Sequence, residues 1–315
     1  MSAQLHPAWQ AARRILCIRL DSLGNVLMCT PAIRALRAGI PGCHLTLLSS
    51  PLGAAAAPFI PELDAAISYA APWIQHTEQH GQPAASEALH ACAARLAQGV
   101  ANQSFDAAII FTSASQSPLP AAMLCHLAGI PLRLAACREN PYQLLSDWVP
   151  EPEHEQASRH EVQRQLDLVA HVGCATLDTA LSLSIPAGDA ARVDAMLREA
   201  GIDPAAPYLV LHAGTGAAAR RYPVRHWLVL VGMLGTRLGY PIILTGDRGD
   251  MESLRLLSET WMGPAHSLIG KLEVGELGAL IRSSNLLITD NTASAQIAAA
   301  VGTPLVALYA PAHPQ

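Results

Sequence analysis

The residues of this chain best suited to chemistry lie in three polar turns of its second half, each directly after a short apolar run. In the last of them, Thr289–Asp290–Asn291–Thr292, short polar residues open an alanine-rich segment that Gly302 and Pro304 stop. Asp290, Asn291 or Thr292 can cap the helix that follows, and the free N–H groups and positive dipole end there suit a phosphate. Plain capping of a structural helix would use the same residues. The earliest turn, His212–Pro223, contains Gly214, Thr215, Gly216, Arg220 and Arg221. Small residues let a backbone approach a ligand closely, Thr215 can donate a hydroxyl, and the arginines can pair with phosphate oxygens. Between these two, Thr245–Asp250 offers carboxylates suited to ribose hydroxyls, by analogy with dinucleotide sites. Together the three turns can hold a nucleotide diphosphate.

The elements that must position these turns alternate in type. Apolar runs at Ile15–Leu20, His44–Ser49, Ala65–Tyr69, Asp106–Phe111 and Leu132–Ala136 predict strands of a buried parallel sheet. Periodicity predicts helices over Ser86–Val100, Ala121–Ala128 and Arg159–Val172. Thr30–Pro31 starts another, unless Pro31 kinks a helix already begun near Asn25. Cys137–Pro152 reads as an irregular connection, long enough for a functional loop. The pattern changes around Leu177–Ala190, which sets the boundary between domains 1–180 and 181–315. Strands at Tyr208–His212, Pro241–Thr245, Ser267–Ile269, Asn285–Thr289 and Leu305–Tyr309 then alternate with further helices. Two successive βα arrays predict an α/β fold of two Rossmann-like domains facing a central cleft.

Composition narrows the class. With 51% hydrophobic and 14% charged residues, the chain can bury a sizeable core. A net charge of −5 argues against a broad nucleic-acid surface. The seven cysteines are scattered, without a C-x-x-C pair, and read as small buried residues of a reducing compartment. The start of the chain lacks a signal-peptide pattern and no run of ~20 apolar residues occurs, so a cytoplasmic protein is expected. Neither G-x-G-x-x-G after a first strand, nor a P-loop, nor a G-x-S-x-G elbow is present, which weakens dehydrogenase, nucleotide-hydrolase and esterase readings. His160–Glu161 lacks the second histidine of a zinc helix, because position 164 is Arg.

Four segments, in this order and spacing, resemble glycosyltransferase family 9, the heptosyltransferases of lipopolysaccharide inner-core assembly. They are Arg19–Ala32, the His212–Pro223 loop, Leu268–Leu272 and Thr289–Pro304. The resemblance implies a GT-B fold and inverting transfer of a sugar, typically heptose from ADP-heptose, to a hydroxyl of a lipopolysaccharide-core-type acceptor. It implies no metal and no cofactor. Donor contacts carried over are Thr215, Arg220, Asp250, Lys271, Asp290, Asn291, Thr292 and Gln296, with acceptor chemistry near Asp21 and Asn25. Ser115 and Arg138 lie at strand ends of the acceptor half. Arg34 is placed either to meet an anionic acceptor or, with Arg37, to be plainly solvated. The partners implied are the nucleotide sugar, the acceptor, and a peripheral contact with the cytoplasmic face of the inner membrane.

The departures from the family pattern are chemical. The usual Gly-Asp after the first strand is Gly24–Asn25 here, and an amide cannot act as general base. Asn291, Ala293 and Gln296 stand where Asp, Gly and His are usual. Asp21 and Asp290 are the carboxylates left to substitute, although Asp21 is four residues from the expected position. Relatives commonly continue with a helical tail, so the chain reads as shortened. A donor-binding homologue without catalysis and a nucleotide-sugar epimerase are the rival expectations.

Overall fold

The computed structural model describes residues 6–74, 104–151, 159–214, 222–260 and 265–309. The chain divides into two compact units, one through Ala180 and one from Leu181. The first unit is built on β1 (Arg14–Arg19), β2 (His44–Ser49), β3 (Ala65–Ser68), β4 (Ala107–Ile110), β5 (Leu132–Cys137) and β6 (Asp147–Pro150). They form one sheet in the order β3-β2-β1-β4-β5-β6, with parallel pairing throughout. Its central strands are continuous apolar runs: Ile15–Ile18 and Ala107–Ile110 are buried along their whole length. Helices on both faces explain why these strands do not alternate polar and apolar residues.

Strand β6 lies inside the stretch expected to be irregular. Asp-Trp-Val-Pro carries a weak signal because it is short and ends in Pro150, which a sheet accepts at an edge. The helices of this unit are α1 (Pro7–Gln10), α2 (Leu23–Met28), α3 (Thr30–Gly39), α4 (Pro51–Ala54), α5 (Leu119–Leu127) and α6 (Glu161–Ala170). The Ser22 hydroxyl caps α2 by accepting the Asn25 N–H. Cys29 both ends α2 and precedes α3, so the helix begun before Asn25 is interrupted just ahead of Pro31. The helix predicted over Ser86–Val100 lies outside the described residues.

The second unit holds β7 (Leu209–His212), β8 (Ile242–Thr245), β9 (Ala265–Ser267), β10 (Leu286–Asp290) and β11 (Leu305–Leu308). Its parallel sheet runs β11-β10-β7-β8-β9. Between the strands run α7 (Ala187–Glu199), α8 (Val224–Leu238), α9 (Met251–Thr260), α10 (Val274–Ser283) and α11 (Ala293–Val301). Trp227 and Val231 of α8 pack on Leu211 and Leu244 beneath the sheet. Glu276 accepts the Glu273 N–H at 2.9 Å and closes the start of α10. Gly302, at φ 78°, ends α11 in the left-handed region that a side chain would resist.

In each sheet the first strand is central and the order reverses beside it, between β1 and β4 and between β7 and β10. Ligands of such sheets bind at the carboxyl ends of the strands flanking that reversal. No described helix is long and apolar enough to cross a membrane.

Candidate functional site

Each unit contributes one cluster at its strand-order reversal. In the first unit, Asp21 follows β1 directly. The guanidinium of Arg19 grips its carboxylate with a fork, Nε to Oδ1 at 2.7 Å and Nη2 to Oδ2 at 2.9 Å. Asn25, one turn along at the start of α2, donates Nδ2–H to Asp21 Oδ2 at 2.8 Å. From the loop after β4, Gln116 donates Nε2–H to the same oxygen at 3.4 Å. The structure therefore brings Asp21 and Asn25 together: four residues in sequence become one hydrogen bond in space. Ser50 holds the turn from below by donating to the Asp21 carbonyl at 2.5 Å.

Behind this turn Arg19 is almost wholly buried, with 1% of its side chain exposed. Its Nη1 donates to Glu161 Oε1 at 2.7 Å. Burial works against the guanidinium charge, but Asp21 and Glu161 outweigh it and raise the pKa of Arg19 above its ordinary value. Glu161 is buried and also accepts from Gln165 Nε2 at 2.8 Å. Sequence reasoning weighed Glu161 only as half of a zinc motif and missed this partnership. Its signal was available, because Glu161, Arg164 and Gln165 put polar groups on the buried side of α6. Among the described residues no group of three His, Cys, Asp or Glu side chains is placed to hold a metal ion.

Ser115 and Arg138 line one pocket with Gln116, Ser117, Glu139 and Glu151, and Arg138 donates to the Ala114 carbonyl. Arg34 is not plainly solvated. Its guanidinium is shared by Glu62 at 2.9 Å, Asp178 at 2.6 Å and the Ala180 carbonyl at 2.9 Å. With two carboxylates answering its charge, Arg34 is a clamp on the end of the unit. Arg37 likewise binds Asp64 at 2.6 Å, so it is not simply solvated.

In the second unit, Asp290 ends β10 and is 0% exposed. Its carboxylate accepts the backbone N–H of Gly214 at 3.3 Å and of Tyr222 at 3.3 Å. These two residues flank 215–221, so Asp290 pins both ends of that loop. Gly214 has φ +118°, and a Cβ there would stand 2.3 Å from Asp250 Oδ2. Only glycine fits between the two carboxylates. Asp250, expected at a ribose, is buried with its carboxylate against this glycine. Thr215 and Arg220 lie outside the described residues.

Thr292 occupies the cap position of α11, yet its side chain makes no cap bond. Its hydroxyl meets Ser294 Oγ at 2.7 Å, and Ser294 meets Thr289 Oγ1 at 2.6 Å. Thr292 thus leaves the side-chain cap position of α11 unused, its own carbonyl accepts the Ala295 N–H at 3.1 Å, and a helix start of this kind suits an anion. Asn291, Thr292 and Gln296 are partly exposed around this helix start. Lys271 is exposed and donates to the Ser267 carbonyl at 3.1 Å. His212, at the end of β7, is buried and shares a 3.0 Å hydrogen bond with Thr245. Burial pushes its imidazole below the ordinary value of 6.5, against the pull of Asp247.

Comparison with known proteins agrees with this architecture. A family model described as glycosyltransferase family 9 (heptosyltransferase) matches residues 93–315. Lipopolysaccharide heptosyltransferase 3 of Escherichia coli is 30% identical over 152 residues, 47% of this chain and 44% of that protein. Lipooligosaccharide heptosyltransferase 2 of Haemophilus influenzae is 36% identical over 101 residues, 31% of this chain and 29% of that protein. The chain thus spans less than half the length of these curated relatives. A family 9 glycosyl transferase from Veillonella parvula superposes with a TM-score of 0.78 at 20% identity, covering 96% of this chain and 82% of that one. An Escherichia coli heptosyltransferase solved with ADP-2-deoxy-2-fluoro heptose gives 0.69 at 19% identity, covering 96% and 90%. The match over most of the chain, carried on two parallel sheets with matching reversals, makes this protein a member of glycosyltransferase family 9, the heptosyltransferase family of lipopolysaccharide biosynthesis, with the GT-B fold.

Proposed function

We propose that this protein transfers heptose from ADP-heptose to a hydroxyl of a lipopolysaccharide-core-type acceptor, with inversion, and that Asp21 is its general base. The observation that carries the reading is the 2.8 Å hydrogen bond between Asn25 and Asp21. An amide at position 25 cannot take a proton, but it delivers a carboxylate to within one hydrogen bond of that position. As the acceptor oxygen bonds to the anomeric carbon, Asp21 takes its proton. The sugar–phosphate bond breaks and its electron pair leaves with the diphosphate. The start of α11, where the Thr292 hydroxyl makes no cap bond, suits that leaving group, with Thr215 and Arg220 as its expected partners. Gln116, at 3.4 Å, is the donor on Asp21 that gives way most easily to an incoming hydroxyl. Support for the donor comes from the related Escherichia coli enzyme that holds an ADP-heptose analogue. A lipid-borne acceptor would bring the protein to the cytoplasmic face of the inner membrane.

A second reading keeps donor binding and loses transfer. It is favoured by the four side-chain donors on the Asp21 carboxylate, about as many as its lone pairs accept. Labelled ADP-heptose with a core acceptor separates the two. Transfer by the wild type that falls at least ~100-fold in Asp21→Asn, with ADP still stabilising both proteins, supports catalysis. Stabilisation by ADP-heptose without any transfer supports the second reading.

A further inference from the structure

We propose that Glu161 is a positioning residue for Asp21, acting through the buried Arg19. The inference rests on the reading of Asp21 as base. A guanidinium is planar, so holding one nitrogen fixes where the other two point. Glu161 Oε1 takes Arg19 Nη1 at 2.7 Å, and this sets the Nε and Nη2 fork that Asp21 receives at 2.7 and 2.9 Å. Without Glu161, the one partner left to the Nη1 end of Arg19 among the described residues is the Cys29 sulfur at 4.0 Å.

Glu161 is itself fixed from the far side of the strand-order reversal. Gln165 Nε2 donates to Glu161 at 2.8 Å and to the Thr112 carbonyl, in the loop after β4, at 2.9 Å. Arg164 stands 3.9 Å from Glu161, donates to the Thr112 carbonyl, and pairs with Glu151 at 2.5 Å. Charges therefore alternate from Asp21 through Arg19, Glu161 and Arg164 to Glu151. The start of α6 thereby ties the turn after β1 to the loop after β4, which also carries Gln116. A carboxylate at the first turn of a helix is favoured there by the dipole. Among the described residues, the charged and titratable groups that contact the Arg19 fork or Glu161 are Asp21, Glu161, Arg164 and Cys29. Burial pushes the Cys29 thiol up to about 12, so its charge stays constant across a neutral assay range.

The test is the pH profile of Glu161→Gln under the labelled-transfer assay. Turnover should fall about tenfold to a hundredfold with the KM for the nucleotide sugar unchanged, because a base displaced by a fraction of an ångström loses attack geometry. The acidic limb of kcat/KM should also move to lower pH, since a negative charge near Asp21 has gone. Gln165→Met, which removes the amide orienting Glu161, should give the same change in smaller size and serves if Glu161→Gln does not fold. A lowered Tm with unchanged turnover and an unmoved limb would overturn the inference and leave Glu161 as a structural partner of Arg19. Failure of the underlying reading looks different: Asp21→Asn would then transfer at the wild-type rate.

Discussion

Both units bridge the reversal of their sheet with hydrogen bonds to an aspartate, and among the described residues the bridging donors differ. Asp21, at the end of β1, receives side chains: Arg19, Asn25 and Gln116. Asp290, at the end of β10, receives the main-chain N–H groups of Gly214 and Tyr222. A side-chain donor can swing aside for an incoming hydroxyl, whereas a backbone donor moves only if its loop moves. Exposure follows the same division, 12% for the Asp21 side chain and 0% for Asp290. On this account the first turn is built to exchange a partner and the second to stay still. On the proposed reading Asp21 does the chemistry, while Asp290 holds the two residues that flank 215–221.

The frame breaks most severely at Gly214. Gly214→Ala would push a methyl group to 2.3 Å from Asp250 Oδ2 at φ +118°. Denaturant unfolding should register a loss of about 3 kcal/mol or more, from steric strain between two buried carboxylates. Gly201→Ala is the control: φ is +75° but nothing stands within 4 Å of the new Cβ. It should cost only the left-handed conformational penalty, about 1 kcal/mol. Equal losses at the two glycines would dissolve the distinction.

Asp290→Asn comes next. It removes the charge from an acceptor of two backbone N–H groups, and a loss of about 1–2 kcal/mol with weaker ADP binding is expected from thermal-shift titration. Unchanged ADP affinity would detach Asp290 from the donor loop.

The smallest effect is a pH dependence in the same unit. His212 is buried with its pKa depressed below 6.5, so the unfolded chain binds the proton more readily. Stability is then full above about pH 6.5 and declines as pH falls through the folded value. His212→Gln should flatten that acid decline in equilibrium unfolding, while leaving stability near pH 8 little changed. A decline that persists in full would assign it to another group.

The sheets were legible in the sequence because parallel strands buried on both faces are short, continuous apolar runs. Ala107–Ile110 and Leu209–His212 stand out for that reason. Strand β6 did not, since an edge strand ending in Pro150 needs only partner geometry and no apolar run. The candidate site was legible in its residues and illegible in its partnerships. Asp21 and Asn25 were both visible, but their contact depends on the turn into α2, capped by Ser22. Arg34 looked like a surface cation because sequence periodicity says nothing of Glu62 and Asp178 converging on it from elsewhere in the chain. Glu161 lies 142 residues from Arg19, and no local pattern joins them. The missing Thr292 side-chain cap on α11 was hidden as well, because the hydroxyl turns to Ser294 instead of to the backbone.

On the proposed reading, Asp21 does the work of the carboxylate missing at position 25. Exchanging the two side chains tests it most directly, by comparing initial rates of labelled sugar transfer for the wild type, Asp21→Asn, and the double variant Asp21→Asn/Asn25→Asp. Asp21→Asn should lose at least ~100-fold and adding Asn25→Asp should restore most of the rate, because the carboxylate moves by one hydrogen bond and keeps its amide neighbour. An Asp21→Asn protein that transfers at the wild-type rate would contradict it.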